Sequence, residues 1–221
     1  MPSKKSVTAT RFCKICHRKM EQNSLYELIF TAKSICLRCF YNLKPKYVRF
    51  KDHGTKVLVL YPYEQNFQSL LFQYKGCGDI ELSSTFLERV SPLLKLRYRD
   101  YVLVPAPSHI SHVEKRGFDH IPLIYQGLGK GMARLIEKTA DRKQSSQSRD
   151  ERARIGAYLK LNRRGDFRGK KLLFVDDVYT TGSTLRACVK LLWSLRPKTV
   201  EALVLARVPK KEKEAEGVEM P

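Results

Sequence analysis

The chain has 221 residues, with 42 Lys and Arg against 22 Asp and Glu, a formal net charge of +20. Its 43% hydrophobic and 29% charged content is ordinary for a globular protein and excludes a chain disordered throughout. The longest apolar stretches, Val57–Tyr61 and Tyr101–Pro107, fall far short of the ~20 residues that cross a bilayer, so no transmembrane segment is expected.

The charge is unevenly placed. Residues 1–56 carry a net +10 and residues 142–171 a net +8, while the other 135 residues carry only +2. Two basic blocks on a neutral chain are the footprint of a polyanion partner, because phosphate neutralisation dominates nucleic-acid affinity. A merely solubilising surface carries the same excess, so both readings stay open at this level. The first residues, Met1-Pro2-Ser3-Lys4-Lys5-Ser6, lead into no apolar signal core, which predicts a cytoplasmic location.

In chain order, the first pattern is Cys13-Lys14-Ile15-Cys16 and Cys36-Leu37-Arg38-Cys39, two C-x2-C pairs 19 residues apart. That spacing predicts a structural zinc ribbon in which Cys13, Cys16, Cys36 and Cys39 complete a tetrahedron. A small polar segment of this kind depends on its metal to fold. His17 reads as a bystander, and Cys77 and Cys188 as small buried hydrophobes. Phe12, Tyr26, Phe40, Tyr41, Tyr47 and Phe50 alternate with basic residues in this region, as a stacking surface for a single strand would. Tyr41–Lys56 reads as a short basic connector. The expected organisation is residues 1–50 as ribbon and connector, 51–209 as the main domain, and 210–221 as a charged tail.

Strands are predicted at Val57–Tyr61, Tyr101–Val104, Leu172–Val175 and Val200–Ala206, each a short apolar run. Between them, Leu82, Phe86, Leu87, Val90, Leu93 and Leu94 recur at helical spacing, divided by Pro92. Ile121–Ile136 is a second predicted helix, weakened by its glycines. The third has the clearest face, Leu185, Cys188, Leu191, Leu192 and Leu195, with Pro197 beyond its end. Alternating strands and helices predict an α/β fold around a parallel sheet.

The most informative segment runs from Leu172 to Thr184: four apolar residues, Asp176 and Asp177, then Val178-Tyr179-Thr180-Thr181-Gly182-Ser183-Thr184. A buried strand is followed by two carboxylates and a hydroxyl-rich loop that opens a helix. Backbone N–H groups at a helix N-terminus favour an anion, and Gly182 permits close approach. Carboxylates at the end of an α/β strand suit sugar hydroxyls or a divalent cation. Together they describe a sugar-phosphate site, against the plainer reading of a capped helix with Ser183 as N-cap. His109, His112 and His120 read as surface residues without a carboxylate partner.

All 13 positions fit the phosphoribosyl-diphosphate (PRPP) motif of type I phosphoribosyltransferases, which the segment resembles. The four-Cys ribbon, Val104-Pro105-Ala106-Pro107, Arg116-Gly117-Phe118 and the Gln147–Arg152 stretch, in that order, resemble the ComF family. Those are zinc-ribbon, phosphoribosyltransferase-like components of bacterial natural transformation. The resemblance spans roughly residues 12–207. It implies a type I phosphoribosyltransferase-like sheet with PRPP held by Asp176, Asp177, Tyr179, Thr180, Thr181, Gly182, Ser183 and Thr184. It also implies a pyrophosphate loop at Pro105–His109, including Ala106 and Pro107, with Arg116 as the nearby cation. Arg142–Arg154, with Gln144, Gln147, Arg149 and Arg152, corresponds to the family's mobile active-site loop. The chain departs from the family at Asp119-His120, where Asn-Gln is usual, and at Ile155-Gly156, where an Asn is expected.

Two functions follow. One is a PRPP- and single-stranded-DNA-binding factor of natural transformation, acting on incoming DNA at the cytoplasmic side of the inner membrane beside a competence helicase. Its DNA contacts are expected at the ribbon and at Arg149, Arg152, Arg163, Arg164, Arg168, Lys170 and Lys171, near the PRPP pocket. The other is an active phosphoribosyltransferase, moving ribose 5-phosphate from PRPP with Mg2+ to a nitrogenous acceptor. The basic ribbon, where enzymes of this fold carry a base-recognising hood, tilts the reading toward nucleic acid.

Overall fold

The computed structural model describes residues 11–20, 34–138, 159–162 and 164–209. The expectations for Tyr26, Gln144, Gln147, Arg149, Arg152, Arg163 and the 210–221 tail lie outside the described residues.

The main body is a six-stranded mixed sheet. Its strands are β3 (Val48–Asp52), β4 (Thr55–Pro62), β5 (Tyr101–Pro105), β6 (Gly131–Met132), β9 (Lys171–Tyr179) and β10 (Thr199–Arg207), in the order β3-β4-β10-β9-β5-β6. β4, β10, β9, β5 and β6 run parallel, and only β3 is antiparallel, paired to β4 at the edge. All four predicted strands are present. Parallel strands are covered on both faces, which is why they read as unbroken apolar runs rather than alternating ones. Leu172–Val175 of β9 and Leu203–Ala206 of β10 are buried accordingly.

Helices α2 (Gln65–Lys75), α3 (Thr85–Glu88), α4 (Ser91–Tyr98), α5 (Ile110–Arg116), α6 (His120–Ile124) and α7 (Ser183–Trp193) accompany the sheet. The third predicted helix is α7, and it buries Leu185, Cys188, Val189 and Leu192, the i, i+3, i+4, i+7 stripe of a core-facing helix. The predicted 82–94 helix is divided into a 3-10 turn, α3 and α4, with Pro92 in the first turn of α4, where its missing N–H costs nothing. α2 carries the same stripe in Phe67, Leu70, Leu71 and Tyr74, a helix the sequence reading did not identify.

Three expectations are corrected. The helix predicted over Ile121–Ile136 stops at Ile124, and the chain turns into β6 and then β7 (Ile136–Lys138). At Gly129, φ is +70° and an added Cβ would meet the Tyr101 carbonyl oxygen at 2.6 Å, so the chain crosses β5 where only glycine fits. The supposed 41–56 connector holds a strand: β3 and β4 form a hairpin whose two loop residues, His53 (φ 45°) and Gly54 (φ 85°), are both left-handed, as a type I′ turn requires. Cys188 is buried as expected, but Cys77 is exposed in the turn that ends α2.

The N-terminal module contains a short hairpin, β1 (Arg11–Phe12) with β2 (Lys19–Met20), and α1 (Leu37–Asn42). Cys13, Ile35 and Cys39 form its small buried core, while Ile15 and Leu43 also pack on the main core. Lys14 pairs with Glu81 (2.8 Å), the Ser34 N–H donates to Glu88 Oε1 (2.8 Å), and Arg89 lies over the Phe40 ring (4.8 Å). The module is therefore fastened to the 3-10 turn and α3. A further two-stranded sheet pairs β7 with β8 (Leu159–Leu161).

Candidate functional site

The Sγ atoms of Cys13, Cys16, Cys36 and Cys39 lie within 4.8 Å of one another, and all six cysteines of the chain are free. Four sulfurs ~2.3 Å from one ion in a tetrahedron sit about 3.8 Å apart, so the cluster already has the dimensions of a four-thiolate site. The Sγ atoms of Cys16 and Cys36 are 3.6 Å apart. Burial raises the Cys13 thiol, but the backbone N–H groups of Cys36, Cys16 and Ile15 outweigh it and bring it down to about 7. Burial and the three neighbouring sulfurs push Cys39 well up. Crowded thiols resist joint ionisation, and a dication removes that conflict. The donor set fits a structural metal and leaves no open coordination position.

At the carboxyl end of β9 stands the acidic pair, and the structure separates its members. Asp177 is buried; its Oδ2 takes Lys75 Nζ of α2 and lies 2.9 Å from His120 Nε2 of α6. Its Oδ1 accepts the Val178 N–H (2.6 Å). Burial opposes its charge, yet His120 and Lys75 hold the carboxyl well below the usual range. Asp176 accepts the Asp177 N–H (2.9 Å). Burial first, and the Asp177 charge second, push its carboxyl up to about 8. Two adjacent carboxylates in one site divide in this way because both cannot ionise cheaply.

His120 is a correction to the sequence reading: it is buried and has a carboxylate partner, whereas His112 is exposed. On its other side, Arg116 Nη1 lies 2.7 Å from His120 Nδ1, and Arg116 Nε donates to the Lys75 carbonyl (3.1 Å). Arg116 thus faces the acidic pair through His120. The 105–109 segment continues β5, with the Ala106 N–H on the Val175 carbonyl (2.8 Å); Ala106 and Pro107 are buried beside β9. Ser108 Oγ donates to Asp119 Oδ1 (2.8 Å), and Asp119 Oδ2 also pairs with Arg134 (2.8 Å). The histidine at 109 caps α5, its Nδ1 accepting from the Ser111 N–H.

After β9, Thr180, Thr181 and Gly182 form the loop into α7. Gly182, not Ser183, is the N-cap, with φ +76°. The first intrahelical bond runs from the Arg186 N–H to the Gly182 carbonyl (2.9 Å), so the N–H groups of Ser183, Thr184 and Leu185 precede any acceptor in the helix. Thr181 and Ser183 share a hydroxyl contact of 2.6 Å. Tyr179 behaves differently from its predicted place among the loop hydroxyls: its Oη donates to Asp52 Oδ2 (3.0 Å). Arg186 Nη1 donates to both Asp52 oxygens (3.1 Å each), and His53 Nδ1 lies 2.8 Å from Oδ1. A Cβ on Gly182 would fall 2.5 Å from Asp52 Oδ2, so the hairpin carboxylate closes directly on the loop.

Asp52 is the brace for that loop. Burial opposes its charge, but His53, Tyr179 and Arg186 outweigh it and hold its carboxyl below the ordinary value. A depressed carboxyl stabilises the fold above the ordinary carboxylate pKa, and the stabilisation is lost as pH falls through the depressed one. Asp52→Ala is expected to cost about 2 kcal/mol at neutral pH, since it removes charged hydrogen bonds while Arg186 keeps some solvent access. Urea melts should show that gap closing in acid, and equal neutral-pH stability of variant and parent would refute the brace.

The described basic residues at the end of the 142–171 block lie apart from the predicted pocket. Arg164, Arg168 and Lys170 are exposed and lead into β9 at Lys171, the amino end of the strand. The Thr180–Gly182 loop follows its carboxyl end, up to ~26 Å away along nine residues of strand. These residues therefore do not adjoin the predicted PRPP pocket. Lys170 and Lys171 instead line a cleft of about 520 Å³ with Lys130, Lys198, Gly169, Val102 and Asp100. Of the predicted stacking aromatics, Phe12, Tyr41 and Tyr47 are exposed, Phe40 is half-buried beneath Arg89, and half-buried Phe50 packs edge-on against Tyr179.

Lys75, Asp52, Arg186 and the role of His120 were not found from sequence. The amphipathic stripe of α2 and the Asp-His-Gly turn were the available signals, and neither names a partner more than 100 residues away.

A mostly parallel sheet with an acidic pair and a hydroxyl-rich loop into a helix at a strand's carboxyl end is the arrangement of a phosphoribosyltransferase-type domain. The sequence profile described as "Phosphoribosyl transferase domain" matches residues 109–220. The chain is 32% identical over 155 residues to the competence protein ComFC of Streptococcus pneumoniae, covering 70% of this chain and 69% of that one. It is 27% identical over 135 residues to the competence protein ComFC of Bacillus subtilis, covering 60% and 56%. The chain belongs to the ComF family of competence proteins. Among solved structures, a hypoxanthine-guanine phosphoribosyltransferase from Bacillus anthracis aligns with a TM-score of 0.39 and 18% identity, over 62% of this chain and 77% of that one.

Proposed function

We propose that this chain binds PRPP with Mg2+ at the carboxyl end of β9 and handles single-stranded DNA in natural transformation, on the cytoplasmic side of the inner membrane. The observation that carries the proposal is the Asp176–Asp177 pair at the carboxyl end of β9, followed within a few residues by the first turn of α7. There the loop N–H groups suit the 5-phosphate, and Asp176, the less committed carboxyl, suits the ribose hydroxyls. Arg116 suits the diphosphate, and Mg2+ would accompany that diphosphate. Cys13, Cys16, Cys36 and Cys39 would hold a structural Zn2+. A competence helicase is the partner expected at the inner membrane; among the described residues no helix is long and apolar enough to cross it.

Support for the nucleic-acid part is the lysine cleft at the other end of the sheet. Lys130, Lys170, Lys171 and Lys198 converge there against one acidic residue, Asp100. Arg164 and Arg168 are exposed and precede the cleft's Gly169–Lys171 in sequence, and Arg149, Arg152 and Arg163 belong to the same basic block in sequence. PRPP and DNA would then occupy opposite ends of β9 rather than one pocket.

The test is a filter-binding titration with single-stranded DNA across salt. Neutralising roughly six phosphates gives a log–log slope of about −4, from ~0.7 per contact. Neutral replacements at Arg163, Arg164, Arg168, Lys170 and Lys171 should flatten that slope. No detectable binding at low salt would overturn the DNA reading. The transferase reading then leads, favoured by the part-buried Arg116–His120–Asp177–Lys75 network around the buried His120–Asp177 contact, since perturbed groups cluster at reactive sites. Its sign would be pyrophosphate release from PRPP when a nitrogenous acceptor is added.

A further inference from the structure

We propose that His120 is the positioning residue of the ligand site, fixing the Arg116 guanidinium and the Asp177 carboxylate to each other through its two ring nitrogens. This inference rests on the PRPP reading of the same site.

The protonation state follows from the partners. Arginine has donors only, so His120 Nδ1, 2.7 Å from Arg116 Nη1, must accept. Asp177 Oδ2, 2.9 Å from Nε2, is an acceptor, so Nε2 carries the proton. The imidazole is therefore neutral, with one lone pair and one N–H, both used. A second proton on Nδ1 would point at the Arg116 N–H and add a third cation beside Arg116 and Lys75. Burial, with those two cations, disfavours that form, and Asp177 alone opposes the trend.

Three elements meet at this ring. α5 brings Arg116, α6 brings His120, and β9 brings Asp177. α2 closes the remaining side: Lys75 Nζ sits on Asp177, its carbonyl accepts from Arg116 Nε, and Tyr74 Oη donates to the His120 carbonyl (2.7 Å). Arg116 Nε and one N–H of Nη1 are thus committed, which leaves Nη2 and the second Nη1 hydrogen for a ligand. Without the imidazole, the guanidinium loses the contact that sets its rotation, and Asp177 loses one of its two side-chain donors. A group placed between a cation and an anion of one site directs both.

The conservative replacement is glutamine, whose amide also offers one acceptor and one donor at similar reach. His120→Leu removes both functions, and His120→Asn keeps them but is too short to reach Asp177 while holding Arg116.

Calorimetric titration of the full chain with PRPP and Mg2+ tests this, with melting temperature recorded for each variant. His120→Leu and His120→Asn should weaken binding about 10- to 100-fold, the loss of charged hydrogen bonds, while His120→Gln stays within about threefold of the parent. If His120→Leu does not fold, His120→Asn carries the comparison. Parent-like affinity in the Asn or Leu variant overturns the role of His120 and leaves the PRPP reading standing. Loss in His120→Gln equal to that in His120→Leu also overturns it, because the bridge would then not be what matters. A parent protein that binds no PRPP overturns the ligand reading itself, and the positioning role falls with it.

Discussion

Chelation of the purified protein is expected to unfold the N-terminal module and release one zinc per chain. Apparent binding free energies of ~10–16 kcal/mol for structural zinc in small modules mean that metal binding there is folding. The described core of this module is only Cys13, Ile35 and Cys39 with a few partly buried neighbours, too little to hold it without the ion. Serine at any one of Cys13, Cys16, Cys36 or Cys39 should lower zinc content and melt the module. The main sheet should persist, since its core is built from β4, β5, β9 and β10 and the helices on them. Metal analysis of the intact protein, followed by near-UV circular dichroism through a chelator titration, measures both. An unchanged fold with no bound metal would end the zinc proposal.

The second large effect separates two aspartates that look equivalent in sequence. Asp177→Ala is expected to destabilise the protein by about 2 kcal/mol, because it leaves the buried His120 N–H without its acceptor and the part-exposed Lys75 ammonium without its partner. Lys75 and His120 both end on that carboxylate. Acid should have a similar effect: a carboxyl held low in the fold stabilises above its ordinary pKa, and the contribution fades as pH falls through the depressed value. Asp176→Asn should behave in the opposite way. Its carboxyl is already pushed up to about 8 by burial and by Asp177, so the neutral amide should leave stability unchanged or slightly raised. The proposed ribose contact would still suffer, weakening PRPP binding about three- to tenfold, because the amide replaces one of the carboxyl oxygens that would take the ribose hydroxyls. Urea melts and calorimetry on both variants should therefore show stability lost in one and binding lost in the other. Equal melting midpoints would mean the acidic pair is not divided as described.

What could be read from residues alone was whatever is encoded locally. Two C-x2-C pairs specify a metal-sized cluster because each pair is a tight turn, whatever the rest of the chain does. Apolar runs such as Leu172–Val175 and Ala202–Ala206 specify buried parallel strands because both faces are covered. The Asp176–Thr184 stretch specifies a loop into a helix, and the ComF resemblance followed from the order of these motifs.

Only the tertiary structure decided which charges meet. Lys75 and His120 reach Asp177 across separations of 102 and 57 residues, Arg116 joins them through His120, and Asp52 reaches Tyr179 across 127. It also carried Lys170 and Lys171 to the far end of β9 from the loop they were expected to adjoin, because nine extended residues lie between. Helices and turns follow from neighbours a few positions away, whose spacing the sequence displays. A buried ion pair forms only after packing has excluded water and brought distant segments together, so its partners carry no local mark.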